Sequence, residues 1–146
     1  MQKGFTLLEL MIVVTLIAIG LSIGVPAFQN MVIQNRLVTV TNSLASAVNL
    51  ARSEAVRRRV SFEVVRDTDW SKGWFVRRVG DAVKIQEYTT PTSIALTNST
   101  ANLTFNSRGL RTPVAALSFN LCHSGGKGRT LTINPTGATS VTKIDS

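Results

Sequence analysis

The sequence predicts an α+β protein: one long amino-terminal helix, able to cross a membrane with its first half, packed by its second half on a small antiparallel β domain. Three observations predict it. An uncharged apolar run follows Glu9, apolar residues then recur at three- and four-residue steps as far as Ala55, and from Val60 the period changes to two.

The apolar run comes first. No charged residue occurs between Glu9 and Arg36, and Leu10 to Phe28 is almost wholly apolar. At ~1.5 Å per residue this stretch spans roughly 28 Å as a helix, close to the hydrocarbon thickness of a bilayer. A membrane span is expected over about 8–28. Lys3, the only basic residue ahead of it, places the amino terminus on the cytoplasmic side. A cleaved secretory signal ending near Ser22-Ile23-Gly24 fits less well. The run exceeds the roughly 7–15 residues of a signal core, and Glu9 sits where such a peptide tolerates no carboxylate. A carboxylate at the edge of a span is costly unless neutralised, so Glu9 is the first candidate functional residue. No side-chain cation lies near it, which leaves a chain terminus as its partner.

Beyond Pro26, which loosens the helix by removing one hydrogen bond, the pattern turns amphipathic. Leu37, Val40, Leu44, Val48, Ala51 and Ala55 form a stripe, with Asn42, Ser46, Asn49 and Arg52 largely between them. Arg57, Arg58 and Arg59 follow, and cations at a helix end complement its dipole. The helix is expected over 5–59. The bland reading of this arginine run is preferred: a solvated helix end that caps carbonyls or meets another subunit's acidic groups.

The β domain is expected over 60–146. Val60, Phe62 and Val64 alternate with Ser61, Glu63 and Val65, and Gly80-Asp81 reads as a two-residue turn between Trp74–Val79 and Ala82–Tyr88. Residues 89–102 read as a loop around a short Ile94–Leu96 strand. Further strands are expected at Leu103–Asn106, Leu117–Leu121, Thr130–Asn134 and Thr139–Ile144, with turns at Ser107-Arg108-Gly109 and Pro135-Thr136-Gly137. Gly125-Gly126-Lys127-Gly128-Arg129-Thr130 fails the phosphate-loop pattern, because Gly128 stands where Ser or Thr must follow the lysine, and reads as a flexible basic turn.

Composition bounds the chemistry. One Cys and one His among 146 residues cannot supply the soft ligand set of a zinc or iron–sulfur site, nor an internal disulfide. Cys122 and His123 adjoin, but no third group completes a catalytic triad. The expectation is no enzyme, no catalytic residues, no metal and no cofactor.

Gly4-Phe5-Thr6-Leu7-Leu8-Glu9-Leu10-Met11-Ile12-Val13-Val14, followed by an apolar helix with Pro26, resembles the processing motif of type IV pilin-like proteins. Within that family the chain is similar to the group joining the type II secretion pseudopilin GspH with the minor pilins FimT and FimU. The likeness rests on Leu50-Ala51-Arg52-Ser53-Glu54-Ala55-Val56, Trp70…Gly73-Trp74, Phe105-Asn106-Ser107-Arg108-Gly109 and Cys122…Gly128-Arg129…Gly137.

The resemblance implies the type IV pilin-like fold and a leader, residues 1–4, that prepilin peptidase cuts between Gly4 and Phe5. It also implies N-methylation of Phe5. The new amine of one subunit's Phe5 would then neutralise Glu9 of its neighbour, supplying the missing cation. The chain would be stored in the bacterial inner membrane with its carboxy-terminal domain in the periplasm. It would join other major and minor pilins or pseudopilins in a type IV pilus or type II secretion pseudopilus and help start its assembly.

An alternative role is DNA uptake in natural transformation. The chain carries 16 Lys+Arg against 8 Asp+Glu, a net charge of +8, and loss of Lys3 with the leader lowers that by only one. An excess on this scale attracts a polyanion without sequence readout. From Arg108 onward five cations, including Lys143, face one anion, Asp145. Arg108, Arg111, Lys127 and Arg129 are the candidate DNA-binding residues. DNA-binding members of the FimT type carry a Gly-Arg-x-Arg motif, whereas the matching stretch here, Gly137-Ala138-Thr139-Ser140, lacks both arginines.

Overall fold

A computed structural model describes residues 6–98, 102–123 and 126–145. The expected cleavage pair, Gly4 and Phe5, lies outside the described residues. The chain forms two compact units, Met1–Asn35 and Arg36–Ser146. One helix, α1 (Leu7–Arg58), contributes to both. It stops one residue short of the expected Arg59, whose φ of 56° places it in the left-handed region and breaks the helical ladder.

Among the described residues of the first unit none is buried. Leu7, Leu10, Ile12, Leu16, Ile23 and Phe28 each expose more than half of their surface. The segment is long and apolar enough to cross a membrane. Its hydroxyls are satisfied within the helix, Thr15 donating to the Met11 carbonyl at 2.8 Å and Ser22 to that of Ile19 at 2.7 Å. A polar side chain that returns to its own backbone costs little in hydrocarbon.

In the second unit the helical stripe is buried: Leu37, Val40, Leu44, Ala47, Val48, Ala51 and Ala55 are at most 3% exposed. Among the described residues nine strands follow, β1 (Phe62–Arg66), β2 (Gly73–Arg78), β3 (Lys84–Thr89), β4 (Ile94–Thr97), β5 (Asn102–Phe105), β6 (Arg111–Thr112), β7 (Leu117–His123), β8 (Lys127–Ile133) and β9 (Thr139–Asp145). They make two antiparallel sheets, ordered β3-β2-β1-β5-β6 and β4-β7-β8-β9. Phe62, Val64, Trp74, Val76, Leu103 and Phe105 line the core face of the first, and Ile94, Leu96, Phe119, Leu121, Leu131 and Ile133 that of the second. Trp70, 1% exposed, joins them: its ring lies 6.4 Å from Trp74 and meets Phe119 edge-on at 4.8 Å.

The fold is therefore a helix on two sheets, with three local departures from expectation. The β2–β3 connection is five residues long, because Gly80 takes φ 81° and the Asp81 carboxylate accepts the Val83 N–H instead of closing a two-residue turn. β6 is new, a two-residue strand held by pairing with β5 and by the Arg111 N–H donating to the Pro135 carbonyl at 2.8 Å. Lys127, Gly128 and Arg129 are strand rather than flexible turn, since all three pair with both β7 and β9.

Candidate functional site

The amino-terminal site is built around Glu9. The Thr6 hydroxyl accepts the Glu9 N–H at 3.2 Å, and the Thr6 carbonyl accepts the Leu10 N–H at 3.2 Å. Thr6 is thus the helix cap, and Thr6-Leu7-Leu8-Glu9 has the spacing of a capping box. Glu9 sits in the first turn, where the positive end of the helix dipole eases a negative charge. The signal for this cap is present in the sequence as a Thr three residues ahead of a Glu.

At the far end of α1 the internal motifs converge. Arg52 Nε donates to the Gly109 carbonyl at 3.2 Å. A methyl group at Gly109 would stand 2.9 Å from Val56 Cγ2, and one at Gly137 would stand 2.8 Å from Arg52 Cδ and 3.1 Å from Phe105 Cε1. Three segments far apart in sequence therefore close on one arginine. Two residues further along the helix, Glu54 gathers the arginine run. Arg57 Nη2 donates to its two oxygens at 2.6 and 2.8 Å, and Arg58 Nε donates at 2.5 Å. The Arg57 hydrogen bond holds the Glu54 carboxyl below its ordinary value of 4.5 against the opposing effect of burial, and Arg57 is raised in turn. Two of the three arginines are thus partly neutralised within the chain, as the three- and four-residue spacing from Glu54 allowed.

The four candidate DNA-binding cations do not form one surface. Arg111 is withdrawn from it: the side chain is 4% exposed, its Nη1 donates to the Ala115 carbonyl, and burial pulls its pKa down. Arg108 lies on the β5–β6 turn beside Gly109, at the Arg52 end of the domain. Lys127 and Arg129 occupy the start of β8, whose other end leads into the Gly137 turn against Arg52. Six residue steps along β8 separate the two ends by roughly 20 Å. Lys143 on β9 is the register partner of Arg129, so the carboxy-terminal cations that do come together are Lys127, Arg129 and Lys143. Cys122 and His123 end β7 as strand residues, and among the described residues no cluster of three His, Cys, Asp or Glu side chains is placed to hold a metal.

Comparison with known proteins adds a family. The prokaryotic N-terminal methylation motif matches residues 1–25, which contain Glu9. The family described as "Type II transport protein GspH" matches residues 40–137, from the buried helical stripe to the β8–β9 turn. The chain belongs to the GspH family.

Solved relatives share this GspH-family architecture. The type IV minor pilin FimU of Pseudomonas aeruginosa superposes with a TM-score of 0.65 at 26% identity, over 75% of this chain and 90% of that one. The minor pseudopilin EpsH from the type 2 secretion system of Vibrio cholerae shares the fold, with a TM-score of 0.55 at 14% identity over 73% and 96% of the two chains. Sequence relatives include a fimbrial protein of Pseudomonas aeruginosa, 38% identical over 50% of this chain and 49% of its own length. A type IV major alpha-pilin of Moraxella bovis is 44% identical over 31% and 28%. The chain thus spans about half the length of the fimbrial protein that it matches. Arg52, Gly109 and Gly137, the residues that lock the GspH-family helix to its sheets, all fall inside the family match.

Proposed function

We propose that this chain is a minor pilin or pseudopilin, a structural subunit that enters a type IV pilus or a type II secretion pseudopilus through its amino-terminal helix and helps begin its assembly. The observation that carries the reading is the first unit: an apolar helix without a buried face, bearing in its first turn the single carboxylate Glu9. Apolar helices of neighbouring subunits would bury that surface. Cleavage between Gly4 and Phe5 by prepilin peptidase would place a cationic, N-methylated Phe5 amine within reach of a neighbour's Glu9, removing the cost of the charge. Before assembly the same helix would hold the chain in the bacterial inner membrane, with the β domain in the periplasm.

The test is Glu9→Ala. The variant should stay in the membrane in normal amount while its incorporation into filaments falls at least about tenfold, which corresponds to about 1.4 kcal/mol of lost pairing. Normal incorporation would reject the neutralisation mechanism. Mass analysis of the membrane-derived protein should show methylated Phe5 as the first residue; an intact Met1 would reject the processing step.

A second reading, capture of double-stranded DNA during uptake, is favoured by one observation: the meeting of Lys127, Arg129 and Lys143 on one sheet face. Of the sequence-predicted candidates it retains Lys127 and Arg129, while Arg108 stands at the other end of the domain. Salt-sensitive, sequence-indifferent retardation of DNA is its signature, and no complex at low salt would end it.

A further inference from the structure

The outer edge of β9 pairs with nothing among the described residues. Two residues on that strand break the character of the face they share. Phe119, Leu131 and Val141 are register partners across β7, β8 and β9; the first two are fully buried, while Val141 stays 41% exposed. One pair further along, Leu121, Arg129 and Lys143 are register partners. Leu121 is fully buried, Arg129 Nε is buried without a hydrogen-bond partner among the described residues, and Lys143 is exposed. Like charges directly opposite on neighbouring strands repel, so this position favours an added carboxylate. Asp145, two residues from Lys143, is the register partner of Lys127.

We propose that β9 accepts an extended segment of a different, acidic subunit as a fifth strand. An apolar side chain of that segment covers Val141, and a carboxylate stands at the position facing Lys143, where its charge also offsets Arg129 one strand further in. Backbone pairing along a free edge supplies affinity, and alternate side chains supply specificity. The inference rests on reading the chain as a filament subunit among others.

Charge selects the occupant. Glu54, Glu63 and Glu87 are engaged in ion pairs with the chain's own Arg57, Arg58, Arg77 and Lys84, while Asp69 and Asp81 accept backbone N–H groups. Arg59, Arg78, Arg108 and Lys143 remain on the surface. A second copy of this chain pairing β9 to β9 sets its Asp145 opposite Lys143 in one antiparallel register alone, the one centred on Ile144, and in the neighbouring registers of the same face Lys143 meets Lys143 or Val141. A lysine on an edge strand discourages indiscriminate pairing, and here it repels copies while admitting an acidic strand.

The test titrates the full chain in detergent micelles with two short extended peptides, one carrying Val and Glu two residues apart among Thr residues and the other Val and Lys at the same spacing, while following amide hydrogen exchange. The Val/Glu peptide should bind, slow the exchange of β9 amides, and weaken about threefold or more between ~0.05 and ~0.5 M salt. Lys143→Glu, a change at an exposed position that the fold tolerates, should reverse the preference to the Val/Lys peptide. Absence of binding at millimolar peptide, equal binding of both peptides, or protection at another edge instead of β9 would overturn the proposal. No filament enters this measurement, so its failure is separate from failure of the Glu9→Ala test.

Discussion

Arg52 Nε donates to the carbonyl of Gly109 across 3.2 Å, and this bond fixes a helical side chain between two turns. Gly109 adopts φ 75° and Gly137 φ 80°; a side chain at Gly109 would first meet Val56, at 2.9 Å, and one at Gly137 would first meet Arg52, at 2.8 Å.

Gly109→Ala and Gly137→Ala should each lower stability by about 1–3 kcal/mol, combining the left-handed backbone penalty with a contact that must open. Thermal unfolding of the full chain in detergent measures this. Gly137→Ala should cost less in an Arg52→Ala background, because its closest contact, 2.8 Å to Arg52 Cδ, is then removed. Equal costs in both backgrounds would show that the backbone alone sets the penalty.

The Glu54 cluster predicts acid sensitivity. The folded-state pKa of Glu54 is depressed, chiefly by the Arg57 hydrogen bond, so its contribution is fully present above the ordinary carboxylate value of 4.5. It is lost as pH falls below that value through the lower folded pKa. Melting temperatures of the parent and of Glu54→Gln should therefore differ at neutral pH and converge on acidification; a constant gap would contradict the assignment.

Arg59 holds φ 56° just past the helix end, a position that glycine occupies at lower cost. Arg59→Gly should stabilise the protein by about 0.5 kcal/mol, the left-handed penalty less the added freedom of glycine in the unfolded chain. Denaturant unfolding resolves a shift of that size by its midpoint.

Arg111→Ala should leave any low-salt retardation of DNA unchanged while reducing stability by about 1–3 kcal/mol, because the Ala115 carbonyl loses its donor. Loss of DNA binding at normal stability would return Arg111 to the surface set.

The parts of this fold that were legible in the sequence are those that repeat locally. Leu37, Val40, Leu44, Val48, Ala51 and Ala55 announce a buried stripe because the helical period alone brings them to one side, and all six are buried. Glu9 stands out because no other charge occurs between Lys3 and Arg36. Alternation along Phe62, Glu63 and Val64 says which side chains share a face, but not which strand lies alongside, so the division into two sheets was hidden. β6 was hidden for a stronger reason: two residues carry no period, and the strand exists through contacts with β5 and Pro135. The glycines around Lys127 masked the start of β8 as a turn. Arg111 looked like its neighbour Arg108 in sequence, and only burial separates them. The opposition of Arg129 and Lys143 depends on strand register, which spacing does not encode.

The buried stripe has a mechanical meaning. From Leu37 to Ala55 it runs about 27 Å along the helix axis. A tension applied along that axis loads every contact of the stripe at once, in shear, instead of peeling them apart one after another. The Arg52 junction lies within this stretch and braces it against sliding, because displacement along the axis would drive Arg52 into the turns at Gly109 and Gly137. The second unit is thus built to carry a load delivered through its own helix without coming away from it.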